Sequence, residues 1–174
     1  EPTKLPSRTK GTGPHIVGDE QHLHFGRRPR PESVERYKTI PYGGNRFDLM
    51  DKRPDITPAC WLNKKTGTTD VMGRMVWEEP SPTVRTEFYK PEKGRYLHPT
   101  ANRPISHREA ARLQSFPDGF IFEGTKIQIA RQIGNAVPPL LGRAIAEHVY
   151  LLAFKEGPRC LDDESAARNG GNKI

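Results

Sequence analysis

Few residues in this sequence are of the types that attack, ligate or move protons at a reacting centre. The two cysteines, Cys60 between Ala59 and Trp61 and Cys160 between Arg159 and Leu161, have no paired spacing. Neither a disulfide framework nor a cysteine-based zinc site is therefore expected. His22 and His24 could share a metal across one residue, but no further ligand recurs at useful spacing, so a solvated pair is expected and no metal site. The best-defined constellation is Gly134-Asn135-Ala136-Val137-Pro138. A glycine placed to end one helix in a left-handed cap, then an amide side chain and a proline that starts the next helix, presents free backbone amides to a ligand carboxylate or a neighbouring loop. By residue type alone, Asn135 could equally do no more than satisfy its own turn.

Charge offers a second kind of chemistry. Lys and Arg exceed Asp and Glu by seven, for a pI near 9.6. A surplus of that size suits a polyanion whose phosphates are neutralised on contact, and it also serves as a solubility device. Lys64, Lys65, Arg74, Arg85 and Arg95 are the candidates for such a basic patch.

The elements that must hold these residues are short. With 174 residues, 33% hydrophobic content, 17 prolines and 16 glycines, the chain has room for one core at most, and part of it is expected to be irregular or to borrow a surface from elsewhere. Residues 1–26 read as an extended arm or linker. Glu32 to Ile40 forms a short helix with Val34, Tyr37 and Ile40 on one side, stopped by Pro41 and Gly43-Gly44. Between Asn45 and Thr100 no long helical period survives; Val71 to Trp77 and Thr83 to Tyr89 are the strand candidates, with Trp77, Phe88 and Tyr89 as core bulk. Ser106 followed by Glu109 has capping-box spacing and opens a helix that ends in the turn Phe116-Pro117-Asp118-Gly119. Thr125 caps a second helix, and Pro138-Pro139 open a third with the stripe Leu141, Ala144, Ile145, His148, Val149, Leu152. The expected class is α+β: a small, irregular β-rich region and then three C-terminal helices. The divisions are 1–26 (arm), 27–122, 123–156 (C-terminal helices) and 157–174 (polar tail). No run of about eighteen apolar residues and no hydrophobic signal core occurs, so a soluble, cytoplasmic chain with no membrane partner is expected. A start at Glu1 rather than methionine suggests part of a longer or trimmed product.

Two stretches carry a resemblance. Arg108-Glu109-Ala110-Ala111-Arg112-Leu113-Gln114-Ser115-Phe116-Pro117-Asp118 and, further on, Gln132-Ile133-Gly134-Asn135-Ala136-Val137-Pro138-Pro139 are together similar to the ninth and tenth motifs of the DNA (cytosine-5) methyltransferases. Gly73-Arg74-Met75-Val76-Trp77 with Ser81-Pro82-Thr83-Val84 resembles, more loosely, the target-recognition region of such enzymes. The resemblance implies a restriction-modification type of DNA methylation enzyme, associated with the bacterial nucleoid, that moves a methyl group from S-adenosylmethionine to cytosine C5 in double-stranded DNA. It implies cofactor contacts from Asn135, Ala136 and Val137. It also implies that the basic patch lies along the major groove, with Thr83 and Val84 nearest a flipped base. The same resemblance exposes what is missing: the family's Pro-Cys-Gln nucleophile turn, its Glu-Asn-Val acid and its glycine-rich donor loop do not occur in the sequence. No catalytic residue is therefore assigned. The chain is expected to be inactive alone and to dock its last helix on an absent Rossmann-like catalytic domain, on the same polypeptide or a separate subunit. The contrasting expectation is a stand-alone DNA-binding or interaction module without methylation activity.

Overall fold

A computed structural model describes residues 23–63 and 66–155, in two units divided after Pro138. Among the described residues of the first unit, five α-helices are linked by long irregular segments: α1 (Pro31–Thr39), α2 (Arg46–Lys52), α3 (Ala59–Leu62), α4 (His107–Leu113) and α5 (Lys126–Asn135). A 3-10 turn, Pro91–Lys93, interrupts the longest of these segments. The second unit holds α6 (Pro139–Tyr150), which runs on into a π-helical turn, Leu151–Lys155.

Local chemistry sets the helix starts. Ser106 and Thr125 each close a capping box, with Glu109 and Gln128 returning the bond to the cap backbone. Asn45 does the same with Asp48, opening α2 in a region where sequence periodicity predicts no helix. The signal was present as Asn-x-x-Asp, a shorter variant of the Ser/Thr-x-x-Glu/Gln pattern. α1 begins on Pro31, whose missing amide would have been unpaired there in any case.

The β-rich expectation is not met among the described residues. Only two isolated bridges form, Arg74 with Leu97 and Leu97 with Pro104, and Thr83 to Tyr89 makes no ladder. Side chains satisfy many of the backbone carbonyls in this part of the chain. Arg74 is buried, and all five of its N–H groups are engaged: Nε by Ile40 O at 3.0 Å, Nη1 by His98 O and Ala101 O at 2.7 and 2.8 Å, Nη2 by Tyr37 O and Asn102 Oδ1 at 2.5 and 3.1 Å. Arg95 holds Gly43 O and Arg74 O at 2.8 and 2.9 Å. Two guanidinium groups thus do for these loops what neighbouring strands do in a sheet.

Two hydrophobic clusters result. Tyr37, Ile40, Leu49, Met72 and Leu97 join α1 and α2 to the bridge segment. The larger cluster packs Val84, Phe88 and Tyr96 against Ala110 and Ala111 of α4 and Ile129, Ala130 and Ile133 of α5. Leu23 is fully buried in it, and Arg108 N and His107 N donate to Leu23 O and Phe25 O at 3.0 and 3.1 Å. The arm expected over residues 1–26 therefore gives way to packed chain from Leu23, its backbone pinned by the first turn of α4. Trp77 departs from expectation in the opposite sense, being 61% exposed, with its ring against His98 and its backbone N–H donating to Tyr42 Oη at 2.6 Å.

α6 starts where the sequence reading puts it and carries the stripe from Leu141 to Val149, while Leu152 falls in the π-helical turn; none of the α6 residues is buried. Leu141, Ile145 and Val149 of its stripe are more than half exposed.

Candidate functional site

The stretch from Arg108 to Asp118 is braced by its own arginines. Arg108 of α4, itself 2% exposed, donates to Asp118 O at 2.8 Å, while Arg112 grips the Asp118 carboxylate through Nε and Nη2 at 2.9 and 2.8 Å. The turn Phe116 to Gly119 is thereby folded back onto the helix that precedes it. The Arg112 guanidinium beside Asp118 holds that carboxyl below the usual range. At the end of α4, Gln114 Nε2 donates to Ile133 O at 3.0 Å, a buried bond that ties this stretch to the last turn of α5.

α4 is anchored at its other end by charge. The Glu109 carboxylate accepts the Ser106 N–H at 2.6 Å and both terminal nitrogens of Arg103 at 2.7 and 2.8 Å. His107, almost wholly buried, places Nδ1 2.9 Å from Phe25 O and Nε2 2.9 Å from Lys126 O, among the rings of Phe25, Phe88 and Tyr89. The two carbonyls favour the imidazolium and desolvation opposes it; desolvation wins, and the group is pushed down to about 4.

These braces position a short surface segment. Val84 is in the large core, whereas Thr83 and Arg85 on either side of it are exposed, the alternation of an extended chain. Tyr96 fixes the segment from below: its hydroxyl donates to Thr83 O at 2.8 Å and accepts the Arg85 N–H at 3.2 Å. Burial pushes the Tyr96 phenol up, so it keeps the proton this bridge needs. The segment also meets α5 at Gly134, where a Cβ would lie 2.5 Å from Arg85 C and Thr86 N. Gly134 is inside α5 and does not have the left-handed backbone expected of a cap; the helix ends one residue later at Asn135, with Ala136 extended. Asn135 and Val137 are exposed and Ala136 half-buried.

The predicted basic patch is thus divided. Arg85 presents its side chain outward, beside Thr83. Arg74 is inside the fold with no N–H left for a phosphate, and half-buried Arg95 directs its donors at carbonyls, so both leave the patch. Lys64, Lys65, His22 and Cys160 lie outside the described residues. His24 Nδ1 stands 3.4 Å from Ser106 Oγ, and Cys60 is exposed on α3. The residue sequence reasoning missed is Tyr96, and the role of Gln114 within its motif was missed too: each acts by reaching a backbone carbonyl far along the chain, which no local pattern encodes.

Comparison with known proteins gives this arrangement its context. The model of the C-5 cytosine-specific DNA methylases matches residues 20–150, most of the chain and all of the braces and segments above. The chain belongs to the C-5 cytosine-specific DNA methylase family. Among curated members it is 37% identical over 155 residues to the type II methylase M.HgiDII of Herpetosiphon aurantiacus, covering 86% of this chain and 42% of that protein. It is 43% identical over 142 residues to the type II methyltransferase M.DdeI of Desulfomicrobium norvegicum, covering 72% of this chain and 32% of that one. With M.Eco47II of Escherichia coli, also a type II methyltransferase, the identity is 40% over 137 residues, or 77% of this chain and 32% of the relative. The chain therefore spans about a third to two fifths of the length of these methylases. None of its described helices is long and apolar enough to cross a membrane.

Proposed function

We propose that this chain is the target-recognition and cofactor-completing portion of a DNA (cytosine-5) methyltransferase, one that transfers a methyl group from S-adenosylmethionine to cytosine C5 in duplex DNA. The observation that carries this reading is the outward pair Thr83 and Arg85, held by the Tyr96 hydroxyl and abutting the helix end that presents Asn135. In this reading Thr83 and Arg85 meet the DNA, Arg85 at a phosphate or a base edge, and Lys64 and Lys65 extend the basic surface. Val84 aims the segment from within the core and does not itself touch a base.

The cofactor reading passes a limited test. The end of α5 offers one exposed amide side chain, Asn135, with Ala136 and Val137 beside it. That donor set fits one edge of S-adenosylmethionine and is too small to hold all of it. The cofactor supplies the electrophilic methyl group when bound; the residues here would fix one end of it and exclude water. The rest of the pocket, and the thiolate that adds to cytosine, belong in this reading to a catalytic part bearing Pro-Cys-Gln, carried on the same polypeptide or on a second subunit. The apolar stripe of α6 would dock on that part, and the whole enzyme would act on DNA in the cytoplasm.

Complementation tests the proposal. The chain is mixed with a fragment that carries Pro-Cys-Gln and the glycine-rich loop, and methyl transfer to duplex DNA is followed. Transfer that requires both components is the expected outcome. No transfer with any matched fragment would leave a DNA-binding or interaction module instead. In an active mixture, Asn135→Ala should weaken cofactor binding while the chain stays folded; an unchanged affinity would remove Asn135 from the pocket.

A further inference from the structure

Gly134 has ordinary helical backbone, so nothing in its conformation calls for glycine. What calls for it is space. A Cβ at this position would stand 2.5 Å from Arg85 C, 2.5 Å from Thr86 N and 2.7 Å from Thr86 Cα. All three are backbone atoms, which cannot swing aside as the tip of a side chain can. The segment is also held elsewhere, by the Tyr96 hydroxyl on Thr83 O and Arg85 N–H and by the turn bond from Phe88 N to Arg85 O at 3.2 Å. α5 is held in turn by Gln114 through Ile133 O. Each partner in the contact is therefore held by hydrogen bonds of its own. Since ordinary contact begins near 3.4 Å, any side chain at 134 must drive the two apart by about 1 Å.

We infer that Gly134 is a positioning residue that sets the spacing between the DNA-facing segment, Thr83 to Arg85, and the cofactor-facing Asn135. The inference rests on the proposed function and adds to it a specific coupling: the recognition segment and the cofactor-side helix end meet backbone to backbone, with no compressible side chain between them. Asn135 is the very next residue, and Thr83 stands two residues before the carbonyl carbon that Gly134 touches. In a transfer between two separately bound molecules, their reacting atoms must be brought together to within a fraction of an ångström. A direct backbone contact is the stiffest spacer a protein can place between the two binding surfaces.

Three variants test this. Gly134→Ala inserts the methyl group; Ile133→Val removes one from the same helix turn and leaves the backbone contact at 134 as it is; Tyr96→Phe keeps the core shape and releases the segment from its hydroxyl anchor. In the chain by itself, hydrogen exchange of the Arg85 amide should lose protection in Gly134→Ala and Tyr96→Phe and keep it in Ile133→Val. In the complemented enzyme, compared at a temperature where all are folded, kcat should fall on the order of a hundredfold for Gly134→Ala, the penalty expected of a misplacement of about 1 Å. Tyr96→Phe should lower kcat about tenfold and Ile133→Val less than about twofold, in line with a merely loosened and an undisturbed segment. An inactive wild-type mixture would overturn the proposed function and this inference with it. An active wild type in which Gly134→Ala matches Ile133→Val in kcat would overturn the inference alone. So would unchanged Arg85 protection in Gly134→Ala. Should Gly134→Ala fail to fold, Tyr96→Phe decides: wild-type kcat in that variant overturns the inference.

Discussion

Arg103 and Glu109 face each other as a fork on a fork, with nitrogen to oxygen distances of 2.7 and 2.8 Å and both side chains about nine-tenths buried. The same carboxylate caps α4 through the Ser106 N–H, so one group neutralises a buried cation and starts the helix. Removing it takes away the carboxylate that neutralises a desolvated guanidinium. Glu109→Ala is expected to destabilise the chain by about 3 to 5 kcal/mol, the range for breaking a buried pair from one side. Chemical denaturation measures this directly; a loss below about 1 kcal/mol, the value of a surface pair, would show that water reaches the site.

Arg74 makes a related but distinct prediction, because its partners are carbonyls and one amide oxygen, with no carboxylate among them. Lysine keeps the charge and loses the planar five-donor fork. At least two charge-assisted bonds disappear, and Arg74→Lys is expected to cost about 3 kcal/mol or more. Since Arg74 is inside the fold, the variant should leave the salt dependence of DNA binding unchanged wherever the protein is folded. A shallower salt dependence would return Arg74 to the DNA surface.

These two residues mark how far the sequence could be read. The caps at Ser106 and Thr125, the turn at Phe116 to Gly119 and the proline start of α6 are local chemistry, written within four or five residues, and the structure has them where their spacing puts them. The strands expected around Val71 and Thr83 did not form; side chains from outside take up part of their backbone instead, Arg95 at Arg74 O and the Tyr96 hydroxyl at Thr83 O and the Arg85 N–H. Whether an arginine faces water or five acceptors is a tertiary fact. Gly134 shows the same limit: its residue type was legible, and its reason was not. Local pattern suggests a left-handed cap, while the cause is a backbone that returns from fifty residues earlier.

His107 gives the fold a pH dependence whose sign follows from its surroundings. Its folded pKa lies at about 4, below the ordinary value of 6.5, because burial penalises the charged ring. Between those values the unfolded chain binds the proton and the folded one does not, so stability is complete above pH 6.5 and falls as the pH drops toward 4. The loss across this window is on the order of 3 kcal/mol. Lys126, which lies over the Phe25 ring, adds to the downward shift, and Tyr89 stacks on the imidazole. His98 is also shifted down by burial and contributes with the same sign, so the diagnostic quantity is a difference. Urea denaturation across pH 4 to 7 should show a steeper decline in wild type than in His107→Gln; parallel curves would mean that the imidazole is charged in the folded state.

Arg85 is where the proposed DNA contact meets measurement most simply. Its side chain is exposed while its amide is fixed by Tyr96, so truncation changes the surface without moving the segment. If the guanidinium meets a phosphate, Arg85→Ala should weaken DNA binding by the complemented enzyme about equally for all sequences and reduce the slope of log K against log salt by about 1. If it reads a guanine edge, the slope should hold while discrimination at one base pair relaxes by about 1 to 3 kcal/mol. Affinity, slope and discrimination all equal to wild type would take Arg85 off the interface and leave Thr83 as the only outward residue of the pinned segment. The two positive outcomes differ in a way the fold explains. A phosphate contact needs only reach and charge, whereas a base contact needs the segment rigid, and in that case Tyr96→Phe should relax discrimination at the same base pair that Arg85→Ala does.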